Sequence, residues 1–168
     1  MAHFAEIDKA SAVLRVLVVP DAQEDRGETF LRDDLGLGGR WVQTSYGGRI
    51  RRRFAAPGMR FDAGRDAFVT PAPYPSWTLD AAGDWQPPVP RPKGDGWEWE
   101  EAAQDWHLDL NRADVTALQV LDGVGSALAQ AIVHGAPWSD VTDLAGIAGI
   151  SMGMVAEWSP RIKAGGAP

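Results

Sequence analysis

The sequence predicts an α+β protein in which a β-hairpin-rich N-terminal domain precedes a small all-α module. Short runs of β-branched and aromatic residues, separated by turn residues, fill most of the N-terminal half and are typical of hairpins. Residues 121–132 recur in altered form as residues 147–158, and each copy reads as a glycine turn followed by a short apolar-faced helix. We expect a β-rich domain over 1–92, a linker and last hairpin over 93–108, the helical module over 109–163 and a flexible tail over 164–168.

Composition narrows the class of protein. The net charge of −7 argues against a general binder of nucleic acid or of anionic membranes. The chain has no cysteine, which excludes a disulfide framework and a thiolate metal site. His3, His107 and His134 lack the spacing of metal ligands, and the longest apolar run is too short to span a bilayer. We therefore expect no metal, no cofactor and no membrane association.

The N-terminal domain begins with two predicted strands and a helix. Residues 4–7 and 13–19 are rich in β-branched side chains and are joined by a polar turn. Residues 24–35 read as a short helix with Phe30 and Leu31 on its apolar side, and Gly36 marks its end.

Residues 41–46 and 49–54 form the clearest predicted hairpin. They flank Gly47-Gly48, and a two-residue Gly-Gly loop suits a primed turn, which fixes the register of the two strands. Because alternate residues of a strand face opposite sides, this register separates two sets of side chains. One face would carry Tyr46, Arg49, Arg51 and Arg53, and the other Trp41, Ile50 and Phe54.

Three further hairpins share one pattern: an acid, three loop residues, an aspartate and an aromatic that begins the returning strand. They are predicted around residues 62–66, 80–84 and 101–105. Aspartate oxygens accept hydrogen bonds from loop amides, so turn chemistry accounts for these acids. A paired-carboxylate active site is the alternative, but no histidine, cysteine or other nucleophile accompanies the pairs.

A strongly basic window lies within this acidic chain. Residues 38–65 contain seven arginines against a single acid, Asp62. The window is either a solvated strand face or a docking patch for an acidic partner or for nucleic acid, and arginine beside aromatic side chains is enriched at such contacts. The candidate partner-binding residues are Arg49, Arg51, Arg53, Tyr46, Trp41, Trp77 and Trp85.

The repeated turn and helix, with the lead-in Leu-Asp-Leu-Asn-Arg-Ala-Asp at 108–114, resemble a tandem helix-hairpin-helix domain over residues 109–163. The resemblance implies a grip on DNA phosphates through backbone amides, because glycines let an anion approach a helix N-terminus. The candidate phosphate-binding residues are Gly123, Val124, Gly125 and Ser126.

The charge of this region weakens the expectation of DNA binding. Residues 107–168 contain three basic residues against six acidic ones, and Asp122 directly precedes the first turn. Affinity for DNA comes mainly from cations that displace counterions. Ser151 stands in the second copy where a second glycine is expected, which puts a second anion site in doubt. A structural or protein-binding use of the module therefore stands beside the phosphate-binding one.

Residues 1–106 resemble a small virion structural protein found widely in tailed phages of marine bacteria. The resemblance is carried by Met-Ala-His-Phe-Ala-Glu at 1–6, Gly-Arg-Trp-Val-Gln-Thr-Ser-Tyr at 39–46, Arg-Asp-Ala-Phe at 65–68 and Pro-Tyr-Pro-Ser-Trp at 73–77. It implies a non-catalytic component of the virion, assembled in the host cytoplasm. The run Arg51-Arg52-Arg53 and the helical extension depart from that pattern.

Together these observations predict a non-catalytic capsid decoration or cement protein that attaches through its β-rich domain. The expected partners are capsid or other virion proteins and a second copy of the chain. The alternative is a DNA-binding protein, or a neck or tail structural protein, that uses the helical module on phosphates. Nucleic acid is thus a less favoured but open partner.

Overall fold

A computed structural model describes residues 1–165 as a mixed α+β protein with small, mostly antiparallel sheets. The chain divides into two units, one formed by residues 1–73 and 77–86 and the other by residues 74–76 and those from 87 onward. Residues 93–108, predicted as a linker and last hairpin, belong to the second unit. Of the predicted tail, the Gly165 amide donates to the Trp138 carbonyl, and residues 166–168 lie outside the described residues.

The first unit is built on a three-stranded antiparallel sheet. Its central strand β1 (Ala2–Ile7) lies between β2 (Val13–Val19) and β3 (Arg40–Thr44). The first two strands were predicted and are confirmed. Because successive side chains of β1 face opposite sides, the strand contributes to two core clusters, Phe4 with Leu31 on one side and Ala5 with Phe68 on the other.

The predicted hairpin around Gly47-Gly48 is wrong. Strand β3 pairs with β1 and not with residues 49–54, which form bends and irregular backbone. Arg51 and Arg52 have φ angles of 53° and 56°, a left-handed conformation that breaks strand alternation. The expected common face of Arg49, Arg51 and Arg53 therefore does not form.

The predicted helix over residues 24–35 is helical but not regular. A 3₁₀ helix (Asp21–Arg26), a short α1 (Gly27–Thr29) and one turn of π helix (Phe30–Asp34) follow each other. Gly27 packs so closely on the Phe4 ring that a Cβ would overlap it, while Leu31 is buried as predicted. The segment thus packs on the sheet through Gly27 and Leu31.

The three hairpins with paired acids are confirmed. The first two are β4 (Arg60–Asp62) with β5 (Ala67–Val69) and β6 (Thr78–Leu79) with β7 (Trp85–Gln86). Asp62 Oδ1 accepts from the Gly64 and Arg65 amides, and Asp80 Oδ1 accepts from the Asp84 amide.

The third hairpin, β8 (Trp97–Glu100) with β9 (Asp105–Asp109), closes differently. Its acid, Glu101, accepts from the amide and hydroxyl of Ser76 and from Trp99 Nε1 instead of from the loop. Glu101 thus ties residues 74–76 to the second unit.

The second unit completes its sheet with a strand that the sequence analysis missed. Strand β10 (Ile162–Lys163) pairs in parallel with β9. Between β9 and β10 lie the helices α2 (Val115–Leu118), α3 (Ser126–Gly135) and α4 (Met152–Trp158), with a 3₁₀ helix (Val141–Gly146) between α3 and α4. The predicted all-α module therefore shares a sheet with the third hairpin.

Gly96 lies where β8 approaches the chain before α2, and its substitution tests that contact. Gly96 has φ +95°, and an added Cβ would lie 2.7 Å from both the nitrogen and the Cα of Ala113. Both the strained φ and the backbone overlap oppose a side chain, so we expect Gly96→Ala to lower the free energy of unfolding by about 2 kcal/mol or more in urea denaturation. Gly146→Ala, whose Cβ meets nothing within 4 Å, is the matched control and should be close to neutral. Equal effects would contradict the close approach.

Candidate nucleic-acid interface

The two copies of the repeat pack on each other reciprocally. Gly123 and Gly149 occupy equivalent positions in the two turns, with φ of +76° and +95°. A Cβ on Gly123 would lie 3.3 Å from Met154 Cε of the second helix, and one on Gly149 would lie 3.3 Å from Leu128 Cδ2 of the first. Each turn therefore lies against the helix of the other copy.

The apolar faces predicted for the two helices form the core between them. The buried members are Ala129 and Ile132 of α3 and Val155 and Trp158 of α4. Trp158 Nε1 also donates to the Asp122 carbonyl across 3.1 Å, which links the second helix to the first turn. The predicted positions of both helices are confirmed.

Val124 belongs to the core and not to an exposed anion site. Its side chain is buried, and its amide donates to the Leu121 carbonyl across 3.1 Å. Of the four candidate phosphate-binding residues, Val124 thus has neither a side chain nor an amide to offer. Gly123 contributes the left-handed turn, and Gly125 and Ser126 begin the helix α3.

The N-terminus of α3 is open. Gly125 is its N-cap residue, no side chain caps the helix, and a Cβ on Gly125 would meet nothing within 4 Å. The exposed Ser126 follows it. The first backbone amides of a helix have no partner within the helix, so an uncapped first turn presents donors to an anion.

The N-terminus of α4 is closed by the chain itself. Ser151, at the position equivalent to Gly125, accepts from the Met154 amide through its Oγ across 3.2 Å. The two copies therefore share their packing but differ in whether their first-turn amides face a side chain or solvent.

The three basic side chains of residues 109–163 contact other groups of the second unit. Arg112 donates to Glu98 across 2.7 Å, and Lys163 donates to the same carboxylate. The Arg161 guanidinium lies 5.8 Å from the centroid of the Trp97 ring, and its Nε is buried with no hydrogen-bond partner among the described residues. Within residues 109–163, the cations that could neutralise a phosphate are therefore already engaged.

Glu98 gives this unit an acid-sensitive contact. The hydrogen bond from Lys163, supported by the Arg112 guanidinium, lowers the pKa of the Glu98 carboxyl below its ordinary value of 4.5. A carboxyl whose pKa is depressed on folding stabilises the protein above its ordinary pKa, and this stabilisation is lost as the pH falls through the folded-state pKa.

We therefore expect Glu98→Gln to lower the free energy of unfolding at neutral pH, and the difference from wild type to shrink as the pH falls below about 4.5. Urea denaturation across an acid pH series measures it. The control is Glu157→Gln, an exposed acid on α4, which should show little difference at any pH. A constant difference for Glu98→Gln would contradict the ion-pair origin.

Of the three arginines in the predicted docking patch, two bind neighbouring groups of the protein and one is exposed. Arg51 donates to Asp66 across 2.8 Å and to the Gln43 carbonyl across 2.7 Å. Arg53 donates to the Gly83 carbonyl across 2.9 Å and to Asp84. Arg49 is exposed and forms no ion pair among the residues that the structure describes.

The partners of Arg51 and Arg53 were missed because Asp66 and Asp84 were assigned only to their turns. The signal available in the sequence was that each of these two acids ends a hairpin loop in the same half of the chain as the arginine run. Their carboxylates hold the arginine loop against the neighbouring hairpins.

The candidate aromatic residues are also divided. Trp41 is buried and donates to the Gly38 carbonyl, Trp85 donates to the Thr70 carbonyl, and Trp77 is half-buried. Tyr46 is 83% exposed. Of this set, Tyr46 alone presents most of its ring to solvent.

Residues 1–165 contain no group of three or more histidine, cysteine or acidic side chains placed to hold a metal ion. Within the same range, no helix is both long and apolar enough to cross a membrane.

Comparison with known proteins gives one informative similarity. No family model and no solved structure matches the chain. Over 57 residues the chain is 48% identical to a protein named deoxyribonuclease from Thioalkalivibrio sp. (strain K90mix). The shared segment covers 34% of this chain and 16% of that protein.

This similarity contradicts two expectations: that the chain is a non-catalytic virion structural protein, and that it is not an enzyme. The named relative is an enzyme of DNA, whereas those expectations depended on acidic composition, on a missing catalytic constellation and on the resemblance of residues 1–106. None of these observations tests for a role in DNA cleavage.

Proposed function

We propose that the chain acts on DNA in a deoxyribonuclease reaction, and that residues 109–163 form a tandem helix-hairpin-helix module that holds the phosphate backbone. The observation that carries this proposal is the open N-terminus of α3 at Gly125. The name of the relative supports DNA as the substrate.

The geometry favours a single phosphate contact in this module, at the N-terminus of α3 and not at that of α4. At α3 the amides of the first turn and the positive end of the helix dipole point at the same open space beside Gly125. At α4 the Ser151 hydroxyl already accepts from the first turn. A phosphate at Gly125 would accept from the amides of residues that follow it and from the exposed Ser126 hydroxyl.

The electrostatics predict a modest affinity. Arg112, Lys163 and Arg161 are engaged with Glu98 and Trp97, so few counterions are displaced when DNA binds. Binding through backbone amides then has a shallower dependence on salt than binding through lysine and arginine. A module of this kind positions DNA for cleavage and does not hold it tightly.

The first test is Gly125→Asp in the full chain. An aspartate at the N-cap accepts from the first-turn amides, which stabilises α3 while it places a carboxylate where the phosphate would bind. We expect duplex affinity to fall by about tenfold or more, since a hydrogen-bonded charged contact is lost, with no loss of thermal stability. Fluorescence anisotropy with labelled duplex measures the affinity.

Two further variants control this test. Gly153→Asp adds the same charge to the first turn of α4, where Ser151 already caps the helix, and should change duplex affinity little. Gly125→Ser copies the closed second hairpin and should give an intermediate loss. Equal losses from Gly125→Asp and Gly153→Asp would show general charge repulsion and would contradict a site at Gly125.

The second test is cleavage of supercoiled plasmid by the full chain with Mg²⁺ or Mn²⁺. We expect the wild-type chain to nick the plasmid. Gly125→Asp should raise KM and leave kcat unchanged, because a contact remote from the reacting bond contributes equally to binding of the ground state and of the transition state. No nicking by a chain that binds duplex normally would contradict its direct part in cleavage. A lower kcat with unchanged KM would place Gly125 at the reacting phosphate.

A further inference from the structure

We infer that Tyr46, His3, Phe54 and Arg49 form a stacking platform for an unpaired base of single-stranded DNA on the first unit. The inference rests on the proposed function in that it takes DNA as the partner, but it uses residues of the other unit. Three features of the described residues support it: a rigidly held loop, an exposed aromatic cluster and an arginine without an ion pair.

The loop that carries Tyr46 is stabilised by hydrogen bonds between its own residues. The Gly48 amide donates to the Ser45 carbonyl across 2.9 Å, and the Ile50 amide donates to Ser45 Oγ across 3.1 Å. Gly48 has φ +63°, and a Cβ there would lie 2.5 Å from the Arg52 carbonyl oxygen, so the loop closes tightly on itself.

The arginines that follow fasten the same loop to its surroundings. Arg51 binds Asp66 and Arg53 binds Asp84, while Thr44 Oγ1 accepts from the Ala55 amide. The loop therefore presents Tyr46 from a fixed base, and a fixed base lowers the entropic cost of binding a ligand.

Tyr46 is the outermost ring of an aromatic cluster. Its centroid lies 5.3 Å from that of Phe54 at an interplanar angle of 62°, and His3 lies 5.2 Å from Phe54. These contacts touch ring edges and leave the residue Tyr46 83% exposed to solvent. An aromatic ring that is held by its neighbours and still open to solvent is the arrangement on which nucleobases stack.

The surroundings of the cluster match the chemistry of a nucleotide. A cleft of about 570 Å³ adjoins it, lined by His3, Tyr46 and Arg49 among others, and this volume is in the range of small-ligand sites. Glu24 also lines the cleft, where it accepts from Gln43 Nε2. Arg49 forms no ion pair in the described part of the chain, which leaves its charge for the phosphate of the stacked nucleotide.

Single-stranded DNA fits this platform better than duplex does. Bases inside a duplex are stacked on each other and offer no open face, whereas an unpaired base offers both. The platform would thus bind a strand that has been opened or cut, while the second unit holds the backbone of the duplex.

The experiment measures binding of labelled oligothymidine and of labelled duplex by the full chain and its variants. Stacking on one aromatic ring corresponds to about 5- to 150-fold in affinity, so Tyr46→Ala should weaken oligothymidine binding by a factor in that range. Tyr46→Phe keeps the ring and should bind as wild type does. All variants should keep the wild-type melting temperature, since Tyr46 and Arg49 are exposed.

Charge is tested by a matched pair of arginines. Arg49→Gln should weaken oligothymidine binding by about 2- to 5-fold, in line with an exposed cationic contact. Arg60→Gln removes another exposed arginine of the first unit, on β4, and should have a smaller effect. Equal effects would mean that only net charge matters and would overturn the platform.

The two proposals fail separately. Normal duplex binding without oligothymidine binding would overturn the platform and leave the proposed function standing. Oligothymidine binding that depends on Tyr46, without duplex binding, would support the platform and overturn the duplex contact at Gly125. Unchanged oligothymidine binding by Tyr46→Ala would overturn the platform.

Discussion

The structure depends on turns that are closed by their own side chains. Its strands have between two and seven residues, so their ladders contain few hydrogen bonds. Carboxylates compensate for this, because Asp8, Asp62, Asp80, Asp114 and Asp140 each accept from a backbone amide a few residues onward. The Asp84 amide, for example, lowers the pKa of Asp80 below its ordinary value. Acidic side chains thus hold short elements together.

This constraint changes what the charge of the chain means. Many of its acids are engaged with backbone amides or with arginines. The net charge of −7 therefore reflects carboxylates that close turns as well as carboxylates that are available to a partner at the surface. The same holds for the basic residues, since Arg51 and Arg53 bind turn acids of neighbouring hairpins. A partner would therefore meet the few groups that remain unengaged, and Arg49 is one of them.

Local patterns could be predicted and distant contacts could not. The hairpins around Asp62 and Asp80 were found because an acid, a three-residue loop and a returning aromatic lie within one short segment. The prediction of the Gly47-Gly48 hairpin was wrong because β3 pairs with β1. No local sequence signal shows whether β3 pairs with β1 or with residues 49–54. At the candidate site, the turn and helix were predicted from the repeat, but only the structure shows that the Val124 amide is already used.

The two copies of the turn and helix, residues 121–132 and 147–158, pack on each other reciprocally. This packing limits which residues each turn can carry. Gly123 lies against Met154 and Gly149 against Leu128, and both glycines have positive φ. A side chain in either turn would therefore strain the backbone and displace the end of the opposing side chain by a few tenths of an ångström. The N-cap position is free of this constraint, because a Cβ on Gly125 would meet nothing within 4 Å and Ser151 Oγ contacts only its own helix. The N-cap residue of either helix can therefore change without altering the packing between the two copies, so anion access at α3 is structurally independent of that interface.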